Sequence, residues 1–211
     1  MARTVAAPRS RLLMALDVSG IAVFVGVLLW VVARAPAPSS GLVLASMALA
    51  AVAGVCAADL ATGLVHWLGD TFGSEHTPIV GPALIAPFRA HHHDPQAIAR
   101  HGFVEVTGNN AWAVSPLLLA VGCIAPWAGA EPWAAGLFGF GLALAVTGAF
   151  SNQLHRYAHM AQVPRAVHWL QRAGLLLSRE AHARHHGARH DHAFCVVNGW
   201  MNPVLDRWLR S

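Results

Sequence analysis

The sequence predicts an all-α integral membrane protein with four transmembrane helices and a histidine-rich helical cap on the cytoplasmic side. Apolar residues make up 55% of the 211-residue chain and charged residues only 11%, whereas about a quarter of the residues in a soluble domain are charged. Four long apolar segments each approach the roughly 20 residues that cross a bilayer as a helix. The fourteen histidines lie mostly at or beyond the ends of these segments. The length fits one membrane-embedded domain, residues 1–211.

The apolar segments set the order of the helices. We place the spans at residues 12–32, 41–67, 111–127 and 133–154. Proline, glycine and small residues at 35–40 and 128–132 favour turns outside the bilayer. The first apolar stretch is longer than that of a signal peptide, so we expect a retained anchor.

Residues 160–211 are not apolar enough for a fifth span, and we expect a helical, histidine-rich tail there. Residues 164–177 mix arginine, histidine and glutamine with tryptophan and leucine, which suits a helix lying in the membrane interface.

The positive charge indicates the orientation. The chain has fourteen arginines and no lysine, and every arginine except Arg34 lies before the first span, between the second and third, or after the fourth. By the positive-inside rule these three regions are cytoplasmic. The sequence therefore predicts an integral protein of the cytoplasmic (inner) membrane, with its N-terminus on the cytoplasmic side. The arginines flank apolar runs and form no basic face, so nucleic-acid binding is not expected.

The histidines form four groups that this orientation places on one side of the membrane. The groups are His66 with Asp70, then His91, His92, His93 and His101, then His155 and His159, and last His182, His185, His186 and His190. Residues three or four apart share a helix face, so His155 with His159 can face one metal ion. The same spacing predicts one face for His182, His185 and His186.

The polar residues near these histidines are candidates for supporting roles. A carboxylate at membrane depth is costly unless it is paired or bound to metal. We therefore expect Asp70 to bind metal, and Asp59 to fix the tautomer of His66 from outside the first layer of ligands. Asn152 lies one turn before His155 and can supply a water-mediated ligand or a hydrogen bond. We expect His76, His93, His168 and His192 to bind no metal.

The type and number of ligands favour two metal ions. Imidazole is a preferred ligand of zinc, copper, iron and nickel, and eight or more imidazoles exceed what one ion can use. Two irons with nitrogen ligands can activate dioxygen. Two zinc ions that catalyse hydrolysis remain an alternative, although such sites rely on bridging carboxylates, which are scarce here. Cys56, Cys123 and Cys195 form no C-x-x-C pair, so we expect packing residues.

With these residues in view, the chain resembles the membrane lipid desaturase family that contains plasmanylethanolamine desaturase, the bacterial carotenogenesis regulator CarF and the plant phosphatidylglycerol acyl desaturase. The resemblance runs from about Asp59 to the C-terminus. Its motifs are 59–67 with 70–73, 87–95 with 100–101, 152–155, 182–186, and 194–195 with 199–200. Family members often have a histidine just before the position of His182, where this chain has Ala181.

The resemblance implies a di-iron enzyme that uses dioxygen and two electrons to introduce a double bond into a membrane phospholipid. It implies that the metal ligands are His66, His91, His92, His101, His155, His159, His182, His185, His186 and His190, with Asp70 assisting. It gives no catalytic group beyond these ligands. Arg89, Arg100 and Arg184 are candidates for the lipid phosphate, because guanidinium matches its oxygens.

The favoured substrate is an ether phospholipid, whose vinyl ether double bond is that of plasmalogens. Desaturation of a phospholipid acyl chain and hydroxylation remain open alternatives, as does a non-enzymatic membrane regulatory protein with a structural metal. The sequence has no flavin or iron–sulfur motif. The desaturase hypothesis therefore requires a separate electron donor, such as ferredoxin or a cytochrome.

Overall fold

The computed structural model describes residues 10–187 and 189–209, apart from the side chain of Ala83. Arg3, Arg9 and Arg210, which support the predicted orientation, lie outside the described residues. The helices are α1 (Arg11–Val32), α2 (Gly41–Thr71), α3 (Ala86–His93), α4 (Ala97–Arg100), α5 (Phe103–Ile124), α6 (Glu131–His159), α7 (Arg165–Arg172), α8 (Arg179–His182) and α9 (Asn202–Leu209). A π-helical turn, Gly81–Ile85, precedes α3, and a 3₁₀ turn, Ala125–Trp127, follows α5. The described residues contain no β-strand.

Four helices are long and apolar enough to cross a membrane, namely α1, α2, α5 with its 3₁₀ turn, and α6. The all-α class and the number of candidate spans are therefore as the sequence predicts, and they indicate an integral membrane protein. Serine caps start the first two helices: Ser10 Oγ accepts the Leu13 N–H at 3.2 Å and Ser40 Oγ accepts the Val43 N–H at 3.3 Å, the usual N-terminal cap.

The spanning helices extend beyond the predicted spans, most of all α5 and α6. The helix α5 starts at Phe103, eight residues before the predicted position 111, and α6 continues to His159. The limits of the spans within a membrane stay a prediction. Residues 103–110 mix apolar and polar side chains, which lowers their hydropathy below that of the predicted span. This part of α5 is joined to α6, where Asn110 donates to Ser151 Oγ at 2.8 Å and to the Gly148 carbonyl at 3.2 Å.

The packing order of the spans is α2, α6, α5, α1. Ser46 donates to the Pro132 carbonyl at 2.6 Å near the start of both helices, and Gly54 abuts Phe140 further along. The helices α2 and α6 therefore run parallel. Their C-terminal ends, which carry His66 and His155, meet at the same end of the bundle.

The segment after α6 covers this end of the bundle, but most of it is not helical. Three short helices, α7 to α9, lie in the described residues of this segment, 160–187 and 189–209, and residues 183–187 and 189–201 form turns, bends and irregular chain. The predicted helical tail is therefore wrong over that stretch. Phe194, Cys195 and Leu205 are buried there against Leu60, Leu64 and Trp67 of α2, which fixes the segment to the end of the second span.

Gly63 is the point on α2 where this segment comes closest. A Cβ at position 63 would lie 2.6 Å from Cys195 Sγ and 2.8 Å from Leu205 Cδ2. We expect Gly63→Ala to destabilise the protein by about 1–3 kcal/mol, because both neighbours have to shift in a packed core. Thermal unfolding in detergent measures the change.

The matched control is Gly26→Ala in α1, where a new Cβ would meet no atom within 4 Å. It should leave the melting temperature unchanged or raise it, because alanine has the higher helix propensity. Equal destabilisation by both substitutions would show that close packing at Gly63 does not hold the segment.

Candidate metal centre

Four stretches of chain bring histidines together at the shared end of α2 and α6. His66 and Asp70 come from the last two turns of α2, and His155 and His159 from the last two turns of α6. The helix α3 contributes His91 and His92, and the segment from α8 onward contributes His182, His185 and His186. The predicted convergence of these residues is therefore present, and they divide into two groups.

The first group consists of imidazoles alone. One ligand atom from each member lies within 4.8 Å of the others, and the members are His91, His155, His159, His182 and His186. The Nε2 atom of His155 is 2.8 Å from Nε2 of His182 and 3.2 Å from Nε2 of His159. Ligand nitrogens about 2.0–2.1 Å from one ion lie roughly 3 Å from each other, so this spacing fits a shared ion.

The second group contains His66, Asp70, His92 and His185. Asp70 Oδ2 lies 3.3 Å from His92 Nε2, 3.5 Å from His66 Nε2 and 3.6 Å from His185 Nε2. Both carboxylate oxygens of Asp70 are buried without a hydrogen-bond partner, and so is Nε2 of His66. Buried polar atoms in this state are rare in native proteins unless an ion or water binds them. These unpaired atoms therefore fit a metal ion.

The two groups are neighbours. His91 and His92 are consecutive residues in different groups, as are His185 and His186. The ring centroids of His66 and His155, one from each group, are 5.9 Å apart. This arrangement can hold two ions side by side, with five nitrogens facing one and three nitrogens and a carboxylate facing the other.

The helical spacing predicted the wrong partner for His185. The sequence pattern placed His182, His185 and His186 on one face, but α8 ends at His182 and the chain continues as turns. His185 consequently faces the second group, while His182 and His186 face the first.

Burial keeps the imidazoles of His182, His185 and His186 in the neutral form that binds metal. Loss of hydration lowers the pKa of His185 to about 3 and of His186 to about 4, and it holds the pKa of His182 well below its ordinary value. These side chains have their lone pairs available at pH 7.

Backbone carbonyls orient two of the rings in the second group. The Nδ1 atom of His66 is 3.0 Å from the Phe194 carbonyl, and that of His185 is 2.9 Å from the His192 carbonyl. A neutral ring facing a carbonyl donates from that nitrogen, so Nε2 is left with its lone pair toward the group. Sequence patterns give no signal for these carbonyls. The sequence pattern also does not identify Phe88 as a site residue, although its ring centroid lies 4.9 Å from that of His66.

His101 and His190 lie outside both groups. His101 Nδ1 is 2.9 Å from Glu105 Oε1, one turn further along the chain. The ring of His190 stacks on that of His92 with centroids 4.1 Å apart and an interplanar angle of 6°. His93 and His192, which we expected to bind no metal, also lie outside the groups.

Asp59 does not contact His66. Its carboxylate is fully buried and accepts four backbone N–H groups from the segment after Phe194. The predicted direct effect on His66 is therefore wrong, because the Phe194 carbonyl occupies Nδ1 of that ring. Asn152 donates to Asn110 Oδ1 at 3.2 Å, so its described hydrogen bond joins α6 to α5 and not to a histidine.

The three arginines predicted to bind lipid phosphate each contact a protein acceptor. Arg89 donates to the Phe72 and Gly73 carbonyls at 3.3 and 3.1 Å. Arg100 forms an ion pair with Asp94, and Arg184 donates to the Ala181 carbonyl at 3.3 Å. Their role toward a lipid stays a prediction.

The chain is similar to several desaturases. It is 39% identical over 156 residues to "Plasmanylethanolamine desaturase" of Myxococcus xanthus, a match that covers 74% of this chain and 54% of that protein. It is 40% identical over 165 residues to "Plasmanylethanolamine desaturase 1" of Mus musculus, covering 75% of this chain and 59% of that protein. It is 38% identical over 161 residues to "Fatty acid desaturase 4, chloroplastic" of Arabidopsis thaliana, covering 75% and 47%.

The matched segment therefore spans about half the length of these curated relatives. No solved structure gives a significant match. The sequence model of the lipid desaturase domain matches residues 55–209, a range that contains every member of both candidate metal groups. The chain belongs to the lipid desaturase family.

Proposed function

We propose that the chain is a di-iron, dioxygen-dependent oxidoreductase that introduces the vinyl ether double bond of plasmalogens into an alkyl ether phospholipid. The observation that carries this proposal is the pair of adjacent groups, one of five imidazoles and one of three imidazoles with Asp70. The names of the two plasmanylethanolamine desaturases support the substrate.

The donor set favours redox chemistry over hydrolysis. Asp70 is the single carboxylate in the two groups found among the described residues, whereas two-metal hydrolases rely on bridging carboxylates. Iron bound by these residues would supply activation of dioxygen. The overall reaction consumes one O₂, two electrons and two protons, removes two hydrogens from adjacent lipid carbons, and releases two waters.

The chain's own residues hold the centre and exclude water. His66, His182 and His185 are at most 1% exposed, and Phe88 packs against His66. A dry site restricts side reactions of an oxidant with water. The electrons come from a partner such as ferredoxin or a cytochrome. The arginine distribution supports a centre on the cytoplasmic side.

A phospholipid acyl-chain desaturase is the second candidate. The similarity to "Fatty acid desaturase 4, chloroplastic" favours it, and the same metal groups serve either substrate. Two further alternatives are hydroxylation of a lipid chain and a non-enzymatic regulatory protein with a structural metal. The test below distinguishes them from desaturation.

The test is lipid analysis of cells that express the chain and receive an alkyl ether phospholipid. We expect acid-labile vinyl ether lipid with the wild type and at least about a 100-fold loss with His155→Ala, because the residue lies at the centre of the five-imidazole group. The variant should still be found in the membrane. New acyl double bonds or hydroxylated lipid without vinyl ethers would support the alternatives, and loss of the variant from the membrane would indicate a structural metal.

A further inference from the structure

Arg156 lies in the last turn of α6, between two histidines of the five-imidazole group, and is half-buried. Helical side chains lean toward the N-terminus of their helix, which for α6 is the opposite end of the bundle from the metal groups. Its guanidinium accordingly reaches back to Gln153, with Nη1 3.5 Å from Oε1. The guanidinium therefore lies beside the preceding turn of α6.

The hydrogen-bonding capacity of this guanidinium is almost unused. An arginine has five N–H donors, and the contact with Gln153 is at the outer limit of a hydrogen bond. Nε is buried without a partner, and no carboxylate forms an ion pair with Arg156 in residues 10–187 and 189–209. A partly buried cation near membrane depth is costly unless an anion or polar ligand offsets it.

Three other arginines near the histidines have protein acceptors for their guanidinium groups. Arg89 donates to two backbone carbonyls, Arg100 pairs with a carboxylate and Arg184 donates to a carbonyl of its own turn. Arg156 has the 3.5 Å contact with Gln153, and its buried Nε has no partner. One turn deeper along α6, Asn152 and its partner Asn110 extend the polar surface toward the bilayer interior.

We propose that Arg156 binds the phosphate of the phospholipid substrate, with its guanidinium donating two hydrogen bonds to the phosphate oxygens. Planar guanidinium matches a phosphate in this bidentate manner. Binding at this position holds the lipid head group within one helical turn of the five-imidazole group. The chain carbons nearest the glycerol are then the ones that reach the proposed iron centre. This inference rests on the proposed function, and it predicts a preference for phospholipid over a neutral lipid with the same chains.

The test measures lipid binding without turnover. Iron-loaded protein in detergent micelles, without reductant, is titrated with a fluorescent alkyl ether phospholipid and with the corresponding phosphate-free glycerol lipid. We expect the wild type to prefer the phospholipid and Arg156→Gln to weaken its binding by about 10- to 100-fold. Binding of the phosphate-free lipid and the iron content should not change.

Two further variants make the result specific to this position. Arg156→Lys keeps the charge but loses the bidentate geometry, so it should bind the phospholipid with intermediate affinity. Arg172→Gln is the matched control, because this exposed arginine of α7 lies over the Trp169 ring. It should bind both lipids as the wild type does.

Three results would overturn the proposal. The first is unchanged phospholipid binding by Arg156→Gln. The second is loss of iron from both Arg156 variants, which would assign the residue to the architecture of the metal centre. The third is Arg156-dependent binding of inorganic phosphate with no preference between the two lipids, which would identify free phosphate as the ligand.

The outcome is separable from that of the proposed function. Arg156-dependent phospholipid binding by a protein that oxidises no lipid would refute the desaturase and leave the binding site intact. Vinyl ether formation with an unchanged KM in Arg156→Gln would support the desaturase and refute the binding site. A raised KM with a smaller change in kcat is the kinetic result that we expect.

Discussion

Asp70→Ala should reduce the iron content of the proposed di-iron centre from two ions per chain to one and abolish lipid desaturation. Among the described residues, Asp70 is the one carboxylate in the second candidate metal group, and its Oδ2 faces Nε2 of three histidines. Its removal leaves three neutral imidazoles and removes the negative charge that offsets the cation. We expect metal affinity at this position to fall by at least about 100-fold, since even losses outside the ligand shell cost about 10–100-fold. Iron analysis of the purified variant measures the change.

His101→Ala is the matched control for Asp70→Ala. The resemblance to the desaturase family implies that His101 binds metal, but the structure pairs it with Glu105 outside both groups. The variant should retain two irons and most of the activity. Loss of one iron from His101→Ala, with retention of two in Asp70→Ala, would contradict the division of ligands proposed for the second group.

The number of spans and their order could be predicted because long apolar segments are a strong signal. The ends of the helices could be predicted less well, because a hydropathy window ends where polar residues begin. Asn110 is polar yet lies inside α5, where its side chain hydrogen-bonds to α6. Such hydrogen bonds between two helices cannot be predicted from the sequence of either helix alone.

The identity of most site residues could also be predicted, whereas their assignment to two groups could not. Consecutive residues such as His91 and His92 point to different sides of α3, and each side is defined only by what packs there. For His185 and His186 the helical periodicity fails altogether, because α8 stops at His182. The division between the groups depends on a turn that sequence spacing does not encode.

The role of Asp59 depends on a long-range contact of the same kind. Its Oδ1 accepts the N–H groups of Val197, Asn198 and Gly199 at 3.0, 3.1 and 3.2 Å, and its Oδ2 accepts that of Met201 at 3.0 Å. This carboxylate therefore fixes residues 197–201 to α2. His192 and Phe194, just before these residues, provide the carbonyl groups that orient His185 and His66. We therefore expect Asp59 to act on the second candidate metal group through the backbone.

Asp59→Ala should therefore destabilise the protein by about 3–5 kcal/mol and weaken the second metal-binding group. The substitution leaves four backbone donors without their acceptor in a buried position, and each unsatisfied donor costs about 1–3 kcal/mol before relaxation. Asp191→Ala is the matched control, since this exposed carboxylate contacts only the adjacent His192 ring among its described hydrogen bonds, and it should unfold as the wild type does. Thermal unfolding and iron content are measured together. If Asp59→Ala unfolds normally but loses one iron, Asp59 acts on the metal directly and not by holding residues 194–201; if it keeps both stability and iron, the carboxylate does not hold the segment.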